Sequence, residues 1–353
     1  MASPLVSVLV PIYNVERYLR ECLDSLECQT LSDIEIICIN DGSTDSSRAI
    51  IQDYLDRDSR FKVIDKPNSG YGASMNMGLD KCTGEYIGIV ESDDFIDPDA
   101  FEEMYHAAKK YNAQVVKTDF YLYWSHPNEV NRRFGWVDEI IEGHINPQIE
   151  RDVFYRKPSI WSAIYKHSFI CDNNIRFLET PGASYQDAGF NFKVWASSDN
   201  AVLINEAYLH YRQDNEASSV NSPGKVFCVC DEYAEMHRYL DTRWRDRTYL
   251  RSILARMKFD TYEWNYDRLS DELKNKFLPR MREEIRLDEQ LGYLDLRDFD
   301  SNKATARALL LKDFALYAAD HDSSSQSSLF SRFIYLVRNY GLLIAFRVVA
   351  AHL

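Results

Sequence analysis

The chain lacks a long hydrophobic segment. Within its 353 residues there is no run of about 18 apolar residues, the length that a membrane-spanning helix needs. The first residues also lack the basic and then apolar pattern of a secretory signal peptide. We therefore expect a cytoplasmic protein that has no transmembrane helix.

Positive charge is scarce relative to negative charge. The 41 Lys and Arg residues are outnumbered by 55 Asp and Glu residues, which gives a formal net charge of -14. Non-specific nucleic-acid binding depends on neutralising phosphates, so this balance argues against a nucleic-acid partner. Any phosphate group that the protein binds must be met by local side chains or by a cation.

The cysteines are typical of a reducing compartment. There are seven, an odd number, and most of them lie in apolar segments. Only Cys228 and Cys230 are close in sequence, and no Cys or His at zinc-finger spacing accompanies them. We therefore expect no zinc site there.

The first 120 residues alternate between apolar runs and helix-like segments. The apolar runs predict β-strands at 5–12, 34–40, 61–65, 86–90 and 113–119. Continuous apolar strands separated by helices are typical of a parallel sheet that helices cover on both faces. A chain of this length, 45% hydrophobic, also suggests two domains.

Polar clusters follow four of these strands directly. They are Tyr13-Asn14 and residues 40–43, 66–68 and 91–94. Because ligands bind at the carboxyl ends of the strands in such sheets, four clusters on one edge predict a binding site. The last cluster, Glu91-Ser92-Asp93-Asp94, needs a metal ion or a basic side chain as its counter-charge, unless water alone solvates it.

The pattern is less regular beyond residue 120. We predict a strand over 136–141, a partly helical segment over 158–170, a helix over 185–196 and two short strands at 201–204 and 207–212. Composition predicts a linker at 214–225, helices over 226–320 and a flexible hinge at 320–328. The predicted domains are 1–222 and 223–322, followed by a terminal helix at 323–353.

The terminal helix is predicted to be amphipathic and basic. Arg332, Arg338 and Arg347 interrupt an otherwise apolar segment. Such a helix can make a peripheral contact with a membrane, here its inner face. It can equally pack on its own domain or mediate a homo-oligomer, and the sequence leaves these alternatives open.

Six motifs, in this order, resemble family 2 glycosyltransferases, which have the GT-A fold. The motifs are "VSVLVPIYN", "INDGSTDSS", "KPNSGYGASMNMGL", "GEYIGIVESDDFIDPD", "YQDAGFNFKVW" and "AYLHYRQDNEASSV", and they cover roughly residues 4–220. The resemblance implies an α/β fold with a Rossmann-like, mixed but mainly parallel sheet and helices on both faces, here followed by a C-terminal helical region. It also implies a nucleotide-sugar half, to about residue 118, and an acceptor half, 119–222.

The resemblance further implies an inverting transfer of a hexosyl or N-acetylhexosaminyl group. The donor would be a nucleotide sugar, usually a UDP-sugar, and the acceptor a hydroxyl of a glycan, a lipid-linked or a protein-linked molecule. The expected role is surface polysaccharide or glycoconjugate biosynthesis. Carried over by position, the donor-binding residues are Pro11, Tyr13, Asn14, Glu16, Asp41, Lys66, Asn68, Gly70, Asn76, Ser92, Asp93 and Arg212.

The "ESDD" cluster stands where the family binds its divalent metal. Mn²⁺ or Mg²⁺ is commonly held by one or two carboxylates together with phosphate oxygens. The resemblance implies Asp93 and Asp94 as the main ligands, with Glu91 and His210 as further candidates. Glu91 could instead contact the ribose or a water molecule. An acidic loop that merely starts the next helix is the alternative explanation of these residues.

Asp187 stands at the position of the family's catalytic base. An inverting transfer needs one base and no covalent intermediate, by analogy with inverting glycosidases. The alternative for Asp187 is a helix N-cap. Trp161 and Ser184 are candidate acceptor contacts, although Trp161 is as easily explained as a buried core residue.

The chain departs from the family at Met75, where an Arg commonly precedes the motif's Asn, here Asn76. Lys66, Arg212 or the metal would have to supply the positive charge that is missing. Two other functions stay open. A sugar nucleotidyltransferase would usually show a long glycine-rich basic signature, which is lacking, and the carboxylate set argues against a non-catalytic nucleotide-binding subunit of a glycosyltransferase complex.

Overall fold

The structure is a computed structural model. It describes residues 3–137, 142–182, 184–215, 226–294, 299–324, 326 and 328–352. The chain forms two compact units, Met1–Trp244 and Arg245–Leu353. The predicted boundary at residue 222 lies outside the described residues, and the structure places the division after Trp244.

A mixed ten-stranded sheet forms the centre of the first unit. Its strands are β1 (Val6–Ile12), β2 (Ile34–Asn40), β3 (Phe61–Asp65), β4 (Tyr86–Ile89), β5 (Phe95–Ile96), β6 (Val115–Trp124), β7 (Val130–Arg133), β8 (Gly143–Ile145), β9 (Ala163–Lys166) and β10 (Ala201–Arg212). The main order is β3-β2-β1-β4-β9-β6-β10-β5, and β7 pairs with β6 and β8 with β10. Six strands run in one direction, namely β1, β2, β3, β4, β6 and β10. The predicted mixed, mainly parallel sheet is therefore confirmed.

Seven α-helices belong to the described part of this unit. They are α1 (Leu19–Glu27), α2 (Ser47–Leu55), α3 (Tyr71–Leu79), α4 (Ala100–Tyr111), α5 (His167–Asp172), α6 (Gln186–Ser197) and α7 (Cys228–Arg243). Every residue of β1 and β2 is buried, as continuous apolar strands beneath helices should be. The first four strand–helix alternations place polar turns at one edge of the sheet, where the candidate site lies.

The structure corrects two predictions made for the region after residue 120 and adds to a third. The segment 158–170 is partly helical as predicted, since α5 begins at His167, but it also contains strand β9, which pairs with β4 and β6 on either side. The two short strands at 201–212 are one strand, β10, whose pairing with β6 shifts register between Ile204 and Leu209. Trp136 and Val137 lie outside any strand, and the rest of the strand predicted at 136–141 is outside the described residues.

The second unit is helical in the part that the structure describes, which confirms the predicted C-terminal helical region. Its helices are α8 (Tyr249–Arg268), α9 (Asp271–Gln290), α10 (Ser301–Lys312), α11 (Phe314–Ser323), α12 (Leu329–Tyr340) and α13 (Leu342–Ala351). Helix α11 continues into the predicted hinge at 320–328. The predicted terminal helix is two helices that part at Gly341, whose φ is +88°. Among the described helices, none is both long and apolar enough to cross a membrane.

One buried carboxylate ties three segments of the sheet together. Glu35 on β2 is 3% exposed and accepts hydrogen bonds from the Ser7 hydroxyl, the Lys62 ammonium and the Thr83 amide, at 2.5, 2.5 and 2.7 Å. Burial alone would raise the pKa of Glu35, but the hydrogen bonds from Lys62, Ser7 and Thr83 together lower it below its usual value. The ionised form therefore stabilises the fold.

We expect Glu35→Gln to lower the free energy of unfolding at pH 7 by about 2 kcal/mol, because charge-assisted hydrogen bonds are lost. The folded-state pKa lies below the unfolded-state value of about 4.3, so this contribution is complete above that pH. It disappears as the pH falls through the folded-state pKa. Urea unfolding of both proteins at neutral and acidic pH measures the difference.

The matched control is Asp53→Asn, which removes an exposed ion pair with Arg20. Such pairs contribute little, so this variant should unfold near the wild-type urea midpoint. A stability difference for Glu35→Gln that stays constant down to acidic pH would contradict the electrostatic explanation.

Candidate active site

Three carboxylates lie within four residues at the carboxyl end of β4. The chain turns there through a hydrogen bond from the Asp94 amide to the Glu91 carbonyl, 3.0 Å long. The Cys22 thiol donates to the same carbonyl. This turn holds Glu91, Asp93 and Asp94 together at the edge of the sheet where the sequence predicts a binding site.

Asp94 is the most deeply buried of the three and has an unsatisfied oxygen. Its side chain is 1% exposed, and its Oδ1 accepts the Arg212 backbone amide at 2.8 Å. Among the described residues Oδ2 has no hydrogen-bond partner. Burial and the charge of Asp93, together with that of Glu91, raise the pKa of Asp94 well above its usual value. A buried oxygen of this kind is stabilised by a positive ligand.

Glu91 shares a hydrogen bond with Tyr71, whose hydroxyl donates to Oε1 at 2.6 Å. Burial raises the pKa of Glu91 to about 8, with further contributions from the charges of Asp93 and Asp187 and an opposing one from Tyr71. The influence of Asp187 on this pKa indicates that Asp187 lies near the acidic turn.

Arg212 holds the acidic turn in place through hydrogen bonds. Its Nε donates to the Asp93 carbonyl at 2.8 Å, and its guanidinium pairs with Glu21 and stacks between Tyr18 and Tyr123. The side chain is 2% exposed. Although the sequence predicts that Arg212 faces the donor, its charge is already used by protein groups, and it acts as a positioning residue.

The Asp93 side chain is positioned by a hydrogen bond from Asn215. Its Oδ2 accepts a hydrogen bond from the Asn215 amide at 2.8 Å. The pKa of the Tyr211 hydroxyl is raised by burial and then by the charges of four carboxylates, Asp94, Asp93, Asp187 and Glu91. Tyr211 on β10 is therefore near enough to all four carboxylates for their charges to act on its hydroxyl.

Asp187 lies in the first turn of α6. The helix N-cap is Tyr185, which has a left-handed backbone with φ of +57°, an unusual conformation for a bulky residue. Asp187 Oδ1 accepts the Ala188 amide at 2.8 Å. Burial raises the pKa of Asp187, while the Ala188 amide and the Lys157 charge act against this rise. A carboxylate with a raised pKa is well suited to accept a proton near neutral pH.

Lys157 belongs to none of the six sequence motifs, yet it lies in this site. Its Nζ is 4.8 Å from the centre of the Tyr211 ring. Burial lowers the pKa of Lys157, while the charges of Asp187 and Asp94 favour its protonated form. The departure at Met75 indicated that a positive charge is missing from the motif, but no sequence pattern pointed to Lys157.

The segments that follow β1 and β2, which contain predicted donor-binding residues, are joined by hydrogen bonds. Asn14 Oδ1 accepts the Thr44 amide, and Glu16 Oε2 accepts the Ser46 amide, both at 2.7 Å. Of the other predicted contacts here, Pro11 is buried in β1, Ser92 is buried, and Tyr13 and Asn68 are exposed.

Asp41 organises the turn before α3. It pairs with the Lys66 ammonium and accepts the backbone amides of Ser69 and Gly70 at 2.9 and 3.0 Å. The charge of Lys66 is therefore compensated within the protein, which weakens Lys66 as the replacement for the missing arginine.

The glycines of this turn allow a second loop to approach α3. A Cβ on Gly70 would lie 2.8 Å from the Thr180 carbonyl, and one on Gly72 only 2.1 Å from the Leu178 carbonyl. Asn76 anchors the same loop through two hydrogen bonds with the Phe177 backbone, 2.9 and 3.0 Å long. Gly70 and Asn76, both predicted to bind the donor, thus hold the acceptor-side loop in this structure.

The remaining predicted residues have protein contacts of their own. His210 stacks on Phe95, and its two ring nitrogens bind Asn131 and Asp97, so neither is left for a metal. Trp161 is buried against Phe120 and Tyr211, as the core alternative predicts. The Ser184 hydroxyl is buried and has no partner among the described residues.

The donor set at the acidic turn fits a divalent cation whose ligand shell a substrate completes. Within the described residues there is no group of three or more Asp, Glu, His or Cys that could hold a metal alone. Asp94 Oδ2 is unsatisfied, and Asp93 is adjacent to it. One or two carboxylates plus phosphate oxygens are a usual arrangement for Mg²⁺.

Comparisons with known proteins agree with this architecture. The chain is 33% identical to the uncharacterized glycosyltransferase EpsJ of Bacillus subtilis over 223 residues, which are 60% of this chain and 62% of EpsJ. It is 40% identical to a chondroitin synthase of Escherichia coli over 99 residues, 28% of this chain and 14% of the synthase. The chain thus spans less than two thirds of these relatives.

A similar fold occurs in residues 1–349 of Staphylococcus aureus TarS, solved in complex with UDP-GlcNAc. The TM-score is 0.63 at 18% identity, and the alignment covers 98% of this chain and 91% of that one. The family model described as glycosyl transferase family 2 matches residues 7–170, which hold the acidic turn and the turn with Gly70 and Gly72. This is the family that the motifs of the sequence resemble.

Proposed function

We propose that the protein is a metal-dependent inverting glycosyltransferase that moves a sugar from a UDP-sugar to an acceptor hydroxyl. The observation that carries this proposal is the unsatisfied Oδ2 of Asp94, placed with Asp93 in one site with Asp187. Carboxylates alone would repel a nucleoside diphosphate. With a cation between them, the same groups bind it.

The donor end would be held by Asp93 and Asp94 through Mn²⁺ or Mg²⁺. When bound, the ion supplies Lewis-acid stabilisation of the diphosphate leaving group. The protein's own part is to keep the two carboxylates in place, through the hydrogen bonds from Arg212 and Asn215. The UDP-GlcNAc complex of TarS supports a UDP-sugar as donor.

Lys157 is the second positive group at the donor end. Lys66 and Arg212 are compensated by protein carboxylates, whereas the Lys157 ammonium lies over the Tyr211 ring and is influenced by the charges of Asp187 and Asp94. An ammonium group is a good partner for phosphate oxygens. We therefore assign to Lys157 the charge that the family's arginine would supply at Met75.

Asp187 would act as the general base. A sugar hydroxyl is a weak nucleophile, and a carboxylate within hydrogen-bond reach removes its proton as the new bond forms. Attack from the face opposite the leaving group then inverts the anomeric carbon without a covalent intermediate. The acceptor would enter beside the loop 178–182 and Ser184. The similarity to a chondroitin synthase supports a growing glycan as acceptor in polysaccharide biosynthesis.

Asp187→Asn should lower the transfer rate by about 10²- to 10⁴-fold, because the proton acceptor is lost, and leave donor binding within about twofold. Transfer is measured with a panel of UDP-sugars and glycan acceptors, and UDP binding by calorimetry. Asp199→Asn, an exposed residue just beyond α6, is the control and should transfer at the wild-type rate. Wild-type transfer by Asp187→Asn would contradict the base assignment.

Metal removal should abolish both transfer and tight UDP binding. We expect no UDP release in excess EDTA, full recovery with Mn²⁺ or Mg²⁺, and at least about tenfold weaker metal-dependent UDP binding for Asp94→Asn. Asp99→Asn, at the start of α4, serves as the control. Full activity in EDTA would overturn the metal role, pyrophosphate release would indicate a nucleotidyltransferase, and the absence of any UDP binding would indicate a non-catalytic subunit.

Lys157→Met should weaken UDP binding by about 10- to 100-fold, since a charge-assisted contact to phosphate is lost. It should also move the acidic limb of the pH–rate profile to higher pH, because the Lys157 charge lowers the pKa of Asp187. Lys81→Met, an exposed lysine after α3, is the control. Unchanged UDP affinity with an unshifted profile would contradict this assignment.

A further inference from the structure

The last two described helices expose an unusual amount of apolar surface. Along α12, Phe330 is 73% exposed, and on α13 Leu343 and Phe346 are 67% and 59% exposed. Leu329, Ile334 and Leu342 are also exposed. Single exposed apolar residues are ordinary on protein surfaces, but six large ones within 18 consecutive residues, 329–346, are not.

These residues form a defined outer face on each helix. Leu336, Ala345 and Val348 are fully buried and form the inner face. Phe330, Ile334 and Arg338 recur every four residues along α12, so they share one side of it. The rings of Phe333 and Phe346 meet at 5.1 Å between centroids and join the two helices. We call the six exposed apolar residues together with Arg338 and Arg347 the α12–α13 surface.

The charge of this surface is opposite to that of the whole protein. Residues 329–352 contain three arginines and no Asp or Glu, whereas the chain carries a net charge of -14. Arg332 is paired with Asp320. Arg338 and Arg347 are exposed, and within the described residues neither has an ion-pair partner. The surface therefore combines bulky apolar side chains with uncompensated positive charge.

We propose that the α12–α13 surface binds an anionic phospholipid membrane, with its apolar residues in the interface and Arg338 and Arg347 at the headgroups. Amphipathic helices with apolar and basic faces bind membranes in this way, and each nearby arginine contributes about 1 kcal/mol against anionic lipid. Long arginine side chains reach the headgroups while their stems stay among apolar groups.

A second copy of the chain is a less suitable partner for this surface. A two-fold interface presents the same patch from both subunits. Because the segment 329–352 has no carboxylate, such a contact would bring arginines together without compensation. Anionic lipid phosphates supply the charge that another copy of this surface lacks.

The test is flotation of the full-length protein with vesicles of phosphatidylcholine alone or mixed in equal parts with phosphatidylglycerol. We expect binding to the mixed vesicles that weakens as salt rises. Arg338→Gln combined with Arg347→Gln should reduce this binding roughly thirtyfold. Phe330→Ser, Leu343→Ser and Phe346→Ser together should reduce it by at least about tenfold.

The matched control is Leu287→Ser with Leu291→Ser, which removes two exposed leucines near the end of α9 and should bind as wild type does. Circular dichroism checks that every variant is folded, and the arginine variant changes only exposed side chains. Light scattering measures the mass without lipid. The proposal is overturned if wild type ignores anionic vesicles, if the arginine and apolar variants bind unchanged, or if the surface instead forms a dimer that does not bind lipid. None of these measurements depends on transferase activity.

Discussion

Uncompensated negative charge at the carboxyl end of β4 is the constraint on which the rest of the site depends. Glu91, Asp93 and Asp94 follow the strand directly, and Asp187 lies at the start of α6. The charges of all four raise the pKa of the Tyr211 hydroxyl. The protein tolerates this because Arg212 holds the turn: its backbone amide donates to the Asp94 carboxylate, and its Nε donates to the Asp93 carbonyl. The turn is thus rigid while its negative charge stays available to a cationic ligand.

The basic residues near the site divide into two groups. Lys66 and Arg212 are compensated by Asp41 and Glu21, and they hold the turn before α3 and the acidic turn. Lys157 instead lies over Tyr211 and interacts with Asp187 and Asp94 across the site. The first group stabilises the structure of the site, and the second remains available to a ligand. The number of basic residues in the sequence does not reveal which residue belongs to which group.

Local pattern predicted the sheet well where strands are long and apolar, as for β1 and β2, and it located the acidic turn at the end of β4, whereas Asp187 was singled out only by the resemblance to the family. Local pattern did not predict strands whose conformation depends on pairing with segments that are distant in the sequence. Strand β9 has only four residues, and its conformation is set by β4 and β6 on either side. The contact of Asn76 with Phe177, about a hundred residues away in sequence, was not predicted for the same reason. Lys157 has no motif, so only the fold places it in the site.

The close approach of α3 to the loop at 178–182 couples that loop to the carboxylate cluster. The Leu178 carbonyl occupies the space that a side chain at position 72 would need. The loop is therefore packed directly against the backbone of α3 at Gly72. The Tyr71 amide binds the Gly182 carbonyl, and the Tyr71 hydroxyl binds Glu91. Tyr71 therefore links the loop at 178–182 to the carboxylate cluster. A displacement of this loop would move Tyr71 and, through its hydroxyl, would change the hydrogen bond to Glu91.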